Sequence, residues 1–183
     1  MGSTRGDMTA RPTPNDLYSQ AAADFGGALT RLARAYEADP DQRRDLLQEI
    51  HLALWRSFAT FNGDCSVRTW VYRVAHNTAA SHAQRRQRLK LDKMTSIDDL
   101  AALEVPDPDD PTRSAEDHDE LARLMALIQR LKMPDRQILL LYLEGLDAES
   151  IGEICGLTGG AVATKVYRLK DALAKRFHQG GTL

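Results

Sequence analysis

Cysteine is scarce in this chain, with two in 183 residues, Cys65 and Cys155. They form no CxxC pair, and no His or further Cys stands near either at zinc-ligand spacing. That excludes a disulfide scaffold and a zinc finger. Free thiols in a reducing cytoplasm are the expectation. Long apolar runs are also missing. The longest, "ILLLYL" at 138–143, falls far short of the ~20 residues that cross a bilayer, so no membrane insertion is expected. The opening "MGSTRGDMTARPTP" has no apolar core of the kind a secretory signal needs. It reads as a disordered polar leader over 1–14, in which Met8 could be the natural start. Sustained period-two alternation is absent, as is an Asn-Gly hairpin between β-branched runs, which argues against a β fold. No nucleophile–base pair, glycine-rich phosphate loop or metal-ligand cluster stands out. An enzyme is therefore the class least expected, and no cofactor or metal is assigned.

What is present is helical periodicity and segregated charge. Hydrophobic residues make up 43% and charged residues 27%, the balance of a soluble globular protein. The net charge of −2 argues against a simple DNA binder. Its distribution argues otherwise. From 68 to 93 the cations Arg68, Arg73, Arg85, Arg86, Arg88, Lys90 and Lys93 face only Asp92. From 98 to 120 acids dominate around a lone Arg113, and after Gly160 the chain turns basic again. Two basic blocks flanking an acidic bridge indicate different partners for different segments.

The periodicity predicts helices over about 16–38 and 42–59, broken by "ADPD" with Pro40. Leu46, Leu47, Ile50, Leu54 and Phe58 form one apolar stripe of the second helix. The loop "FNGDCS" at 61–66 offers Gly63 as a turn residue and Ser66 as an N-cap. In the helix that follows, Val67, Trp70, Val71, Val74 and Thr78 share the core face. Thr69, Tyr72, Arg73, His76 and Ala80 share the opposite, wet face, with Asn77 at the border. His76 and His82 are not at metal-pair spacing and read as polar surface residues. Three prolines in "VPDPDDPTRSAEDHDE" exclude a helix interior and predict an extended linker.

Beyond it, helices are expected at about 115–131, at "DRQILLLYLEG" with Gly145 as its stop, at 148–155, and from about 160. The last two, joined by the turn "GLTGG", have helix-turn-helix spacing. Val162, Val166, Leu169 and Leu173 cluster on the packed side of the last helix. Ala161, Thr164, Lys165, Arg168 and Ala172 cluster on the other. Small residues near the helix start with donors one turn on suit entry into a major groove. A solvated basic helix in a plain bundle would explain the same residues.

The fold class is therefore all-α: two small helical domains joined by an acidic Pro-rich linker, the C-terminal one a helix-turn-helix. The boundaries are 15–95, 96–114 and 115–179. With both ends read, the chain resembles the bacterial sigma-70 family, in its two-domain extracytoplasmic-function (ECF) type. "RRDLLQEIHLALWRSF" is similar to the family's "DLvQEvFlrlwr" segment. "FNGDCSVRTWVYRVAHNTA" resembles its "F.g.s.frtWlyriarN.a" segment, and "LKMPDRQILLLYLEGLDAESIGEICGLTGGAVATKVYRLKDAL" its "LP...R.vllL.y.egls.eEIAeilg.p.GTVksrl.RAr..L" segment. Two departures are visible. Gln42, Arg43 and Arg44 stand where the family often has acids, and Ala163 where it often has Lys or Arg.

The resemblance implies a transcription initiation factor that binds core RNA polymerase, directs it to −10/−35 promoters and helps melt DNA. Asp45, Leu46, Gln48 and Glu49, supported by Trp55, would face the polymerase. Asn62, Asp64, Ser66, Tyr72 and Asn77 would read an opened −10 strand, because a flipped base needs a pocket and edge hydrogen bonds. Arg68, Arg73, Arg85, Arg86 and Arg88 would hold phosphates, which position without reading sequence. Trp70, on the apolar side, reads as core. Thr158, Ala161, Thr164, Lys165 and Arg168 would meet the −35 duplex. The linker would thread the polymerase as an acidic strand. An anti-sigma factor is an implied partner, with the free chain a cytoplasmic monomer. A stand-alone LuxR-like regulator, or a sigma-like protein that binds a partner but no promoter, stays open on the sequence.

Overall fold

The computed structural model describes residues 12–89 and 116–179, apart from the side chains at 87–89, 116–122 and 177–179. The leader up to residue 11, the linker over 96–114 and the Arg88 side chain lie outside the described residues.

Among the described residues the secondary structure is helical, with seven α-helices and no strand. They are α1 (Pro14–Tyr36), α2 (Pro40–Ser57), α3 (Val67–Leu89), α4 (Glu116–Arg130), α5 (Asp135–Leu143), α6 (Ala148–Cys155) and α7 (Gly159–Gln179). A single 3-10 turn, Phe58–Thr60, extends α2. The starts and stops are local chemistry. Thr13 and Asp16 close a reciprocal capping box on α1. The Asp39 carboxylate accepts from the Asp41 and Gln42 amides, and Pro40 fills the first turn of α2, where no donor is needed. The Ser66 hydroxyl accepts from the Thr69 amide to open α3. Asp147 caps α6 through the Ser150 amide at 2.7 Å. Gly145 and Gly156, at φ 75° and 71°, let the chain leave α5 and α6 through the left-handed region.

Helices α1, α2 and α3 pack on one another, as do α5, α6 and α7, while α4 lies on α1 and α6 on α3. One continuous core results. In its first half Leu29, Leu46, Ile50, Leu54, Phe58 and Val71 are buried, and in its second Ile128, Leu131, Ile138, Leu141, Ile151, Val162 and Leu169. The apolar stripes of α2 and α7 therefore do what their spacing predicts.

The wet face expected of α3 is a correction. Thr69, Tyr72 and His76 are buried, because α3 is sandwiched between α1 on one side and α6 on the other. Neither histidine is a surface residue. His76 lies edge-on to Tyr36, and its Nδ1 is 3.2 Å from the Tyr36 hydroxyl. His82 sits under the Glu37 and Glu49 carboxylates, at 3.8 and 3.5 Å. A stripe count recognises one buried face, whereas a helix in the middle of a bundle has two.

Burial pushes the His76 pKa down to about 3. The unfolded chain takes up this proton below its ordinary value of about 6.5, and the folded chain does not until near 3. Stability therefore falls as pH drops through that window. At pH ~5.5 the loss from this residue should be on the order of 1 kcal/mol relative to neutral pH. Urea melts of the protein and of His76→Gln at both pH values test it. Equal pH dependence in the two proteins would remove His76 from the account.

Candidate functional site

Helix α2 presents a stripe to solvent opposite its core face. Asp45, Gln48, Leu52 and Trp55 follow at the spacing of one helix side, and all four are exposed. Leu52 is 46% exposed and Trp55 49%, both large for apolar side chains on a folded surface. The Trp55 indole N–H donates to Asn15 Oδ1 at 2.9 Å, which fixes the ring against the start of α1. Leu46, expected on this contact surface, is fully buried and belongs to the core. Its position one residue after Asp45 turns it about 100° away from the exposed stripe. Glu49 is half-buried and occupied by Arg85 at 2.6 Å. Leu52 was missed by the sequence reading; its signal was the i+7 spacing from Asp45.

The second surface is the loop at 61–66 and the start of α3. Asn62 and Asp64 are exposed and bonded to each other, Nδ2 to Oδ2 at 2.5 Å and amide to Oδ1 at 3.3 Å. A pocket of about 610 Å3 opens beside the loop, walled by Pro12, Pro14, Leu17, Phe58 and Phe61. Of the expected strand readers only Asn62 lines it. Ser66 is exposed but spends its hydroxyl on Thr69. Asn77 is exposed on α3.

Tyr72 is not with them on the surface. It is 3% exposed, edge-on to Phe25, and its hydroxyl donates to Glu144 at the end of α5. Burial and the neighbouring Glu144 raise its pKa. Arg68 lies over the Tyr72 ring and donates to the Glu144 carbonyl at 2.6 Å. Arg73 pairs with Glu153 of α6 at 2.9 Å, and Arg86 pairs with Glu37. The basic block is therefore real, but Arg73, Arg85 and Arg86 each hold a carboxylate and Arg68 a carbonyl.

The third surface is α6 and α7. Leu157 donates to the Gly152 carbonyl as the turn leaves α6. A Cβ on Gly152 would sit 2.5 Å from the Leu157 carbonyl oxygen, so the turn as built requires glycine there. The Thr158 hydroxyl caps α7 through the Ala161 amide. Ala161, Thr164 and Arg168 are exposed along one side. Lys165 is half-buried, and its ammonium is 2.7 Å from the buried Asp135 carboxylate. That pairing ties it to α5 rather than leaving it at the centre of a reading face. Tyr167, 74% exposed, stands beside Thr164 and Arg168 on the helix and was absent from the expected set. Its apolar ring on an otherwise polar side was the signal.

Comparison with known proteins covers the same segments. The family described as Sigma-70 region 2 matches residues 22–89, and Sigma-70, region 4 matches 121–173. The RNA polymerase sigma-H factor of Pseudomonas aeruginosa is 30% identical over 142 residues, covering 75% of this chain and 74% of that protein. The ECF RNA polymerase sigma-E factor of Escherichia coli is 30% identical over 137 residues, 70% of each chain. Among solved structures, CnrH in complex with the cytosolic domain of CnrY superposes with a TM-score of 0.62 at 20% identity, covering 88% of both chains. The sigma factor RpoE with the anti-sigma factor NepR from Bartonella quintana gives 0.63 at 19% identity, covering 86% of this chain and 94% of that one.

Proposed function

The chain belongs to the sigma-70 family, alongside ECF sigma factors, and on that footing we propose that it recruits core RNA polymerase to promoters and helps open them. The observation that carries the proposal is the pairing of a region 2 match with a region 4 match in one chain, each on its own group of helices. A stand-alone LuxR-like regulator would leave the first match without a task. The domains are taken as 15–95 and 115–179 with the acidic linker between them. Such a factor works where polymerase and DNA meet, in the cytoplasm, and no described helix is long and apolar enough to cross a membrane.

The roles follow the three surfaces. The stripe of Asp45, Gln48, Leu52 and Trp55 on α2 meets the polymerase. Asn62, Asp64 and Asn77 offer amide and carboxylate groups to an unpaired base, with Phe61 as a stacking wall. Arg68, Arg73, Arg85 and Arg86 take phosphates once their present partners release them. Thr164, Tyr167 and Arg168 enter the −35 major groove, where a tyrosine ring can lie on a thymine methyl and an arginine can bond guanine O6 and N7. An anti-sigma partner is proposed by extension from the RpoE–NepR complex.

In vitro transcription with purified core polymerase on a promoter library tests the reading. New start sites that depend on the protein are expected, and none would overturn it. Within that assay, Arg168→Ala should weaken −35 recognition by ~1–3 kcal/mol, selectively at the bases it contacts. Unchanged promoter selection would remove Arg168 from the reading face.

A further inference from the structure

The side of α3 that meets the end of α1 and the middle of α2 carries an unbroken run of ionisable groups. His82 lies at its centre, with its side chain 8% exposed. Glu37 Oε2, just past α1, stands 3.8 Å from His82 Nε2, and Glu49 Oε1, on α2, stands 3.5 Å from Nδ1. Each carboxylate also holds an arginine of α3. Arg86 pairs with Glu37 through that same Oε2, and Arg85 pairs with Glu49 Oε2 at 2.6 Å. Arg85 and Arg86 follow His82 at i+3 and i+4, so the three share one face of the helix. Arg43 of α2 is a further charge beside them, bonded to the Glu37 carbonyl at 3.2 Å.

This geometry suits an imidazolium better than a neutral ring. A neutral imidazole has one donor and one acceptor nitrogen. With a carboxylate oxygen facing each nitrogen, either tautomer turns a lone pair on an anion. Neither nitrogen has a hydrogen-bond partner among the described residues, although both are buried, and an unmet buried polar group is costly. A protonated ring would donate to both carboxylates after a shift of under ~1 Å, to ordinary hydrogen-bond distance. That shift sets His82 against the arginines. On the Glu37 side, the imidazolium and the Arg86 guanidinium compete for one oxygen. On the Glu49 side they share one carboxylate charge, and Arg85, 57% exposed, leaves it at little cost. Glu37 is held from following Arg86, because its other oxygen accepts the Asp39 amide at the turn into α2.

We propose that His82 is a positioning residue for DNA binding: its protonation takes Glu37 and Glu49 from Arg86 and Arg85 and frees both guanidiniums for DNA phosphates. The inference rests on the reading of Arg85 and Arg86 as phosphate contacts. A guanidinium released by a carboxylate presents the same donors that a phosphate needs. Imidazole is the side chain whose charge changes in the physiological range. The grip on DNA therefore strengthens as pH falls, and by linkage DNA binding takes up a proton at His82.

The test uses the full chain. Fluorescence anisotropy with a mixed-sequence duplex, over a range of salt, reports the phosphate contacts. From pH ~8 to ~6 wild type should bind about tenfold tighter at ~0.05 M salt, with a salt slope steeper by about 1–2 for the two added contacts. His82→Gln keeps a polar side chain without the charge and should lose most of that response. His51→Gln removes a histidine that bonds Tyr18 instead, and should keep it. A further measurement needs no variant. In wild type, NMR should show the Arg85 and Arg86 Nε signals moving with the same midpoint as the His82 ring. Arginine signals that do not follow the ring overturn the proposal, as does a ring that takes no proton by pH ~6. A wild-type response in folded His82→Gln overturns it too. Arg85→Ala with Arg86→Ala separates the two levels. If that variant binds as wild type does at pH ~6, the phosphate reading fails and the proposal with it. If it binds more weakly while His82→Gln still responds, only the role of His82 falls.

Discussion

Truncating Leu52 and Trp55 together to alanine should weaken binding to core RNA polymerase by about 100-fold or more, with stability changed by less than ~1 kcal/mol. The reasoning starts from what these side chains fail to do in the free protein. Each is about half exposed and neither belongs to the buried core. They lie one turn apart on α2, in line with the exposed Asp45 and Gln48. Apolar anchors flanked by polar groups are the usual anatomy of a binding hot spot, where one buried aromatic can supply ~2 kcal/mol or more. Trp55 is also held in place before binding by its bond to Asn15, so little rotamer freedom is left to lose on docking. A titration of labelled core polymerase, with urea melts of the same proteins, checks both halves. Affinity within about threefold of wild type would place the polymerase contact elsewhere. Asn15→Ala should give a smaller loss of the same kind, through the freed ring.

The helix ends were legible in the sequence because caps are local. Pro40, Ser66 and Gly145 each act within a few residues of where they stand. The helix-turn-helix was legible for the same reason, from the α6 bounds to the packed face of α7. Faces were harder. Tyr72, His76 and His82 looked wet because the elements that cover them, α1, α2 and the C-terminal helices, come from elsewhere in the chain. The arginines of α3 looked free because Glu37, Glu49 and Glu153 lie 36 to 80 residues away from them. Trp55, expected beside the polymerase-facing residues, is half-exposed on the same stripe as Asp45 and Gln48. What the sequence could not supply in each case was the identity of the neighbour across the bundle.

Leu46→Ala should cost ~2–5 kcal/mol of folding stability and leave the polymerase contact of the folded protein intact. Leu46 was expected both in the apolar stripe of α2 and on its contact surface, and the two roles make opposite predictions. Its side chain is fully buried, in one cluster with Ile50, Leu54, Leu29 and Phe58. Truncation removes methyl groups from water-excluded packing and leaves a cavity, and surroundings built from several helices collapse into it only in part. Against a typical total of ~5–15 kcal/mol, that is a large share, so the variant should melt early and be lost first on warming. Where it is still folded, at low temperature and without denaturant, its affinity for core polymerase should equal that of wild type. The opposite pairing, normal stability with weakened polymerase binding, would return Leu46 to the contact surface. It would also mean that α2 is rotated in the polymerase-bound state. The same two measurements on Leu52→Ala should give the mirror image, because the two leucines lie about 120° apart around one helix, one buried and one exposed.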